Sequence, residues 1–124
     1  MEIYRILLVE DNFILNQDLS QSLQDLGYCV RPVYCGKTAF EAIDRHERLL
    51  ALITDIDLGD GADGVDVARY ARAFDPHLPV LFTSGRSGAR LASHGVIRSE
   101  FIPKPFQVSE IAAALIRVIR LEAA

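Results

Sequence analysis

Tyr28-Cys29-Val30-Arg31-Pro32-Val33 is a short strand-like run with a proline inside it, and Phe101-Ile102-Pro103 repeats that feature near the far end of the chain. Proline has no amide hydrogen to give to a ladder, so a strand that holds one belongs at a sheet edge. Three further apolar runs accompany these two: Tyr4 to Val9, Leu50 to Thr54 and Val80 to Ser84. Between the runs the apolar residues change to helical spacing, as in Leu15, Leu19, Leu23 and Leu26, which stop at Gly27. Ala39, Ala42, Ile43 and His46 line one face of a second helix; Val67, Ala71 and Phe74 line a third. The last helix carries Val108, Ile111, Ala112, Leu115, Val118 and Ile119. This alternation predicts an α/β fold, a five-stranded parallel sheet with helices on both faces. Prolines in the second and fifth strands put those strands at the edges, which is the doubly wound order 2-1-3-4-5. Gly85, Gly88 and Gly95 interrupt the segment between Ser84 and Phe101, so the fourth helix should be short or irregular.

With 124 residues, 13 Lys+Arg and 17 Asp+Glu, the chain has a net charge of −4 and the size of one domain, expected over 1–124. Half of it is hydrophobic and 24% is charged, a balance that excludes a disordered chain. The negative charge argues against nucleic acid as the main partner, because that affinity rests on neutralising phosphates. The longest apolar stretch, Ile111 to Ile116, is far below the roughly 18–20 residues that span a bilayer. No basic-then-apolar leader opens the sequence, so the expected location is the cytoplasm, with no membrane partner. Cys29 and Cys35 fit neither a disulfide framework nor a metal spacing and are expected as buried or half-buried free thiols.

Open parallel sheets bind ligands beyond the carboxyl ends of their strands. Here those ends carry Glu10-Asp11, Asp55, Thr83-Ser84 and Lys104-Pro105. Each has an ordinary reading: a helix N-terminus for the acids, a loop hydroxyl for Ser84, a solvated charge for Lys104. Their convergence on one rim outweighs those readings, because the fold rests on the apolar runs and prolines and not on these residues. Two carboxylates 4 Å apart repel by roughly 4 kcal/mol at an effective dielectric near 20, so such a cluster needs a cation or a proton. Hard oxygens on a shallow, wet rim suit magnesium, and a lysine and a hydroxyl suit phosphate oxygens. The rim reads as a magnesium-assisted phosphoryl-transfer site with a carboxylate as candidate nucleophile.

Leu7-Leu8-Val9-Glu10-Asp11, Ile53-Thr54-Asp55, Pro79 to Gly85 and Phe101-Ile102-Pro103-Lys104-Pro105-Phe106 together resemble the receiver domains of bacterial two-component response regulators, in order and spacing. The resemblance implies a flavodoxin-like fold and a stand-alone receiver that catalyses only its own aspartyl phosphorylation and dephosphorylation. It makes Asp55 the phosphoacceptor, Asp11 a direct magnesium ligand, Glu10 a ligand mostly through water, and the Asp57 backbone carbonyl a further ligand. Lys104 would pair with the acceptor and then with phosphoryl oxygens, across a cis bond to Pro105. Ser84 would be the switch hydroxyl, with Thr83 as the competing choice, and Phe101 the aromatic that follows it. Asp57 and Arg86 would tune the phosphoryl lifetime. The implied partners are a sensor histidine kinase or phosphotransfer protein and a downstream protein, with dimerisation left open.

The chain departs from that family in three places. Asp55 to Gly64 is one residue longer than usual, the intervening Asp57-Leu58-Gly59-Asp60-Gly61-Ala62-Asp63 lacks the usual Met-Pro, and Phe101 lacks a phenolic hydroxyl. A second reading takes Asp55-Ile56-Asp57 as the nucleophile and acid pair of a haloacid-dehalogenase-type phosphatase. A third, a flavin binder, is disfavoured because Glu10-Asp11 would repel phosphate after the first strand.

Overall fold

In the computed structural model, which describes residues 3–59 and 61–123, strands and helices alternate from end to end. The strands are β1 (Arg5–Val9), β2 (Cys29–Val33), β3 (Leu49–Asp55), β4 (Val80–Ser84) and β5 (Ser99–Pro103). The helices are α1 (Phe13–Asp25), α2 (Gly36–Asp44), α3 (Gly64–Phe74), α4 (Ala89–Ser93) and α5 (Val108–Ala123). All strand pairs are parallel and the order is β2-β1-β3-β4-β5, as the prolines predict. Pro32 lies in edge strand β2 opposite Leu8, and Pro103 in edge strand β5 opposite Ser84.

Alternate residues of the central strands feed two separate cores. Leu7, Val9, Leu52, Val80 and Phe82 pack with Ala39, Ile43, Val67 and Ala71 of α2 and α3. Ile6, Leu8, Ala51, Ile53 and Leu81 pack with Leu19 and Leu23 of α1 and Ile111 and Leu115 of α5. Burial on both faces explains why β1, β3 and β4 read as near-continuous apolar runs. The fourth helix is short, as expected, and begins after Gly88 at φ 83°.

Three local expectations are corrected. His46 is not on the face of α2: the helix ends at Asp44, and His46 turns out at φ 54° to meet the ring of Phe74 edge-on. Phe74 is half exposed at the end of α3, meeting the rings of His46 and Tyr70 edge-on rather than lying in the core. Both cysteines are free, but exposed rather than buried. Cys29 opens an edge strand and Cys35 is the residue that caps α2, neither of which has a covering layer. Asp60, in the loop after β3, lies outside the described residues.

Candidate functional site

The rim is assembled by strand ends held in register. Glu10 follows β1, and its N–H bonds to the carbonyl of Val33 at 3.2 Å. Buried Asn16 of α1 ties this corner: its amide donates to the carbonyls of Glu10 (3.1 Å) and Val33 (2.9 Å). Asn12 caps α1 by accepting the N–H of Leu15. Asp55 ends β3, and the Ile56 N–H continues the ladder to Thr83 at 2.9 Å. Lys104 follows β5, its N–H on the carbonyl of Ser84 at 2.9 Å, and the Lys104–Pro105 bond is cis as expected.

The Lys104 ammonium sits between two buried carboxylates, 2.5 Å from Glu10 Oε1 and 3.0 Å from Asp55 Oδ2. The second oxygen of Glu10 accepts the Asn12 N–H at 2.9 Å, and that of Asp55 accepts the Asp57 N–H at 3.2 Å. Burial pushes both carboxyls above their ordinary values, more than the lysine and the backbone donors pull them down. For Lys104 burial works the other way and is outweighed: Glu10 and Asp55 raise it.

Glu10, Asp11 and Asp55 offer carboxylate oxygens that all lie within 4.8 Å of one another. Asp11 is exposed at the mouth of the cluster, whereas both oxygens of Glu10 are engaged by protein donors. An all-carboxylate donor set open to water on one side fits a hard divalent cation of the magnesium type.

The side chains of Ser84 and Asp57 meet beside the carboxylate cluster. Ser84 Oγ does not hydrogen-bond Asp55; it donates to Asp57 Oδ2 at 2.8 Å, while Arg86 Nε donates to Asp57 Oδ1 at 2.9 Å. Burial acts to raise Asp57, but Ser84 and Arg86 outweigh it and hold the carboxyl below its ordinary range. Thr83 has the opposite parity, facing Asp55 across the ladder, so Ser84 is the hydroxyl that reaches the rim loop. Phe101 is half-buried against the α2–α3 core, with the Arg90 guanidinium 4.7 Å from its ring centre.

Sequence reasoning missed Asn16 and Arg90. Asn16 was legible in principle, because it sits three residues before Leu19 inside the buried stripe of α1. The position of Arg90 depends on a glycine-bounded short helix and had no such signal.

The pattern expected for response regulator receiver domains matches residues 6–116. The chain is 33% identical to the response regulator MprA of Mycobacterium ulcerans over 123 residues, 95% of this chain and 52% of that protein. It is 34% identical to the transcriptional regulatory protein TctD of Salmonella typhimurium over 122 residues, 96% of this chain and 53% of that protein. It therefore spans about half the length of these curated relatives. Among solved structures, a response regulator receiver protein from Sinorhizobium medicae superposes with a TM-score of 0.90 at 33% identity, covering 98% of each chain. The non-phosphorylated HemR receiver domain from Leptospira biflexa gives 0.81 at 34% identity, covering 94% of each. The phosphatase reading of Asp55-Ile56-Asp57 finds no support in these matches or in the site, where the Asp57 carboxylate is turned to Ser84 and Arg86. Sheet order, rim and sequence matches lead to one conclusion: the chain belongs to the receiver domain family of two-component response regulators.

Proposed function

We propose that Asp55 is the phosphoacceptor of this receiver and that Lys104 and the neighbouring acids serve its phosphorylation. The observation that carries this reading is the Lys104 ammonium bridging buried Asp55 and Glu10, with exposed Asp11 beside them. An Asp55 oxygen attacks phosphorus, the phosphorus–nitrogen bond of a donor phosphohistidine breaks, and the imidazole leaves with that electron pair and takes up a proton. Lys104 releases Asp55 to the reaction and follows the negative charge onto the phosphoryl oxygens. Asp11, Asp55 and the Asp57 backbone carbonyl, with Glu10 through water, would hold a magnesium ion, which when bound would supply positive charge to those oxygens. Hydrolysis reverses the state when water attacks phosphorus and the Asp55 carboxylate leaves.

The signal then passes through Ser84 and Phe101 to a downstream protein. A sensor histidine kinase or phosphotransfer protein is the donor, residues 1–124 act as one receiver domain, and the working place is the cytoplasm. No helix is long and apolar enough to cross a membrane among the described residues. Relatives named as transcriptional regulators extend well beyond the matched region, so the expectation against direct nucleic-acid binding concerns this domain alone. The test is phosphorus NMR of the chain with a small acyl phosphate. An aspartyl phosphate signal at one per chain should appear with magnesium and vanish with a chelator; a magnesium-independent signal would contradict the proposal.

A further inference from the structure

The Ser84 hydroxyl has one proton, and that proton is committed. Oγ donates to Asp57 Oδ2 at 2.8 Å, and the Arg86 N–H donates back to Oγ at 3.0 Å. Asp57 is held in turn, because its other oxygen accepts Arg86 Nε at 2.9 Å. The three residues close a loop: Arg86 backbone to Ser84, Ser84 to Asp57, Asp57 to the Arg86 guanidinium. Asp57 and Arg86 are both about half exposed, so burial does not force their pairing. Nothing in this loop touches Asp55 through Ser84.

We propose that Asp57 and Arg86 form a latch that withholds the Ser84 hydroxyl from the phosphoryl site. The inference rests on Asp55 being the phosphoacceptor and adds a regulatory element to that site. A hydroxyl donates to one acceptor at a time. A phosphoryl oxygen on Asp55 must therefore win Ser84 from a carboxylate that is itself anionic and oriented by a guanidinium. A molecule whose competent state is only partly populated binds with an affinity reduced by that fraction. Asp57 is thus a positioning residue acting through Ser84. Its charge also repels an incoming anion whether or not Ser84 is present, and the two effects separate in a double-mutant cycle.

The experiment is binding of fluoroberyllate, an analogue of the phosphoryl group, to the whole chain with saturating magnesium. Wild type, Asp57→Ala, Ser84→Ala and the double variant are compared by calorimetry. Asp57→Ala should bind about fivefold more tightly than wild type, a gain on the scale of one net hydrogen bond. In the Ser84→Ala background the gain should be at least about threefold smaller. Equal gains in both backgrounds, or none in either, would overturn the latch while leaving Asp55 as acceptor. Failure of the wild type to bind would overturn the acceptor reading and the latch together. Without any ligand, three-bond couplings at Ser84 should show one side-chain rotamer in wild type and averaging in both Asp57→Ala and Arg86→Ala; averaging already present in wild type would likewise overturn the latch.

Discussion

Gly64 lies against the backbone of Asp55 so closely that a β-carbon at Gly64 would stand 2.1 Å from the Asp55 carbonyl oxygen. The contact is locked from both sides. The Gly64 N–H donates to the carbonyl of Ile56 at 2.8 Å, and Thr54 Oγ1 donates to that same Asp55 carbonyl at 2.9 Å. The start of α3 therefore presses on the end of β3, and the Asp55 carboxylate is placed by a helix that contributes no side chain to the rim. Between β3 and this contact the chain passes Gly59 and Gly61, both at positive φ.

Gly64→Ala should destabilise the fold by about 2–3 kcal/mol, because the clash is with backbone that cannot rotate away. Urea denaturation measures it. The amide resonances of Thr54, Asp55 and Ile56 should shift most, and an unchanged denaturation midpoint would contradict the contact.

Lys104→Ala removes the ammonium between Glu10 and Asp55 and leaves two buried carboxylates facing each other. Without metal the variant should lose about 2 kcal/mol at neutral pH, less than a fully buried broken pair because Lys104 is partly exposed. Both carboxyls already lie above their ordinary values and rise further without the lysine. The folded state then holds more protons than the unfolded one just above the ordinary carboxylate range, so the deficit shrinks as pH falls through that window. Added magnesium should shrink it too. Denaturation at several pH values with and without magnesium checks the sign; a deficit that grows on acidification would refute it.

Asp11→Ala should weaken magnesium binding more than Glu10→Ala, by at least about tenfold against wild type. The reason is the difference in prior commitments: Glu10 is engaged by Lys104 and the Asn12 N–H, while Asp11 stands exposed at the mouth. Titration of both variants decides it, and a larger loss at Glu10 would reverse the two roles.

Sheet order was legible because it rests on two prolines that lack a donor, Pro32 and Pro103, and on runs buried on both faces. The rim was legible because strand ends are fixed once the order is known; Glu10, Asp55 and Lys104 then meet by topology. What failed was local. The His46 register continued a helical period past the point where α2 stops, since no glycine or proline marks that end. Thiols are buried on average, but that tendency says nothing of an edge strand or a helix cap, where Cys29 and Cys35 lie exposed. The Ser84–Asp57–Arg86 loop is a matter of rotamers across two loops. Residue types at those positions do not say which acceptor the hydroxyl chooses.

Asp55, and no neighbouring acid, is proposed to take the phosphoryl group. Intact-mass measurement after incubation with a small acyl phosphate and magnesium tests it on wild type, Asp55→Asn and Asp57→Asn. One added phosphoryl group is expected on wild type and on Asp57→Asn, and none on Asp55→Asn. An added phosphoryl group on Asp55→Asn, or its loss from Asp57→Asn alone, would contradict it.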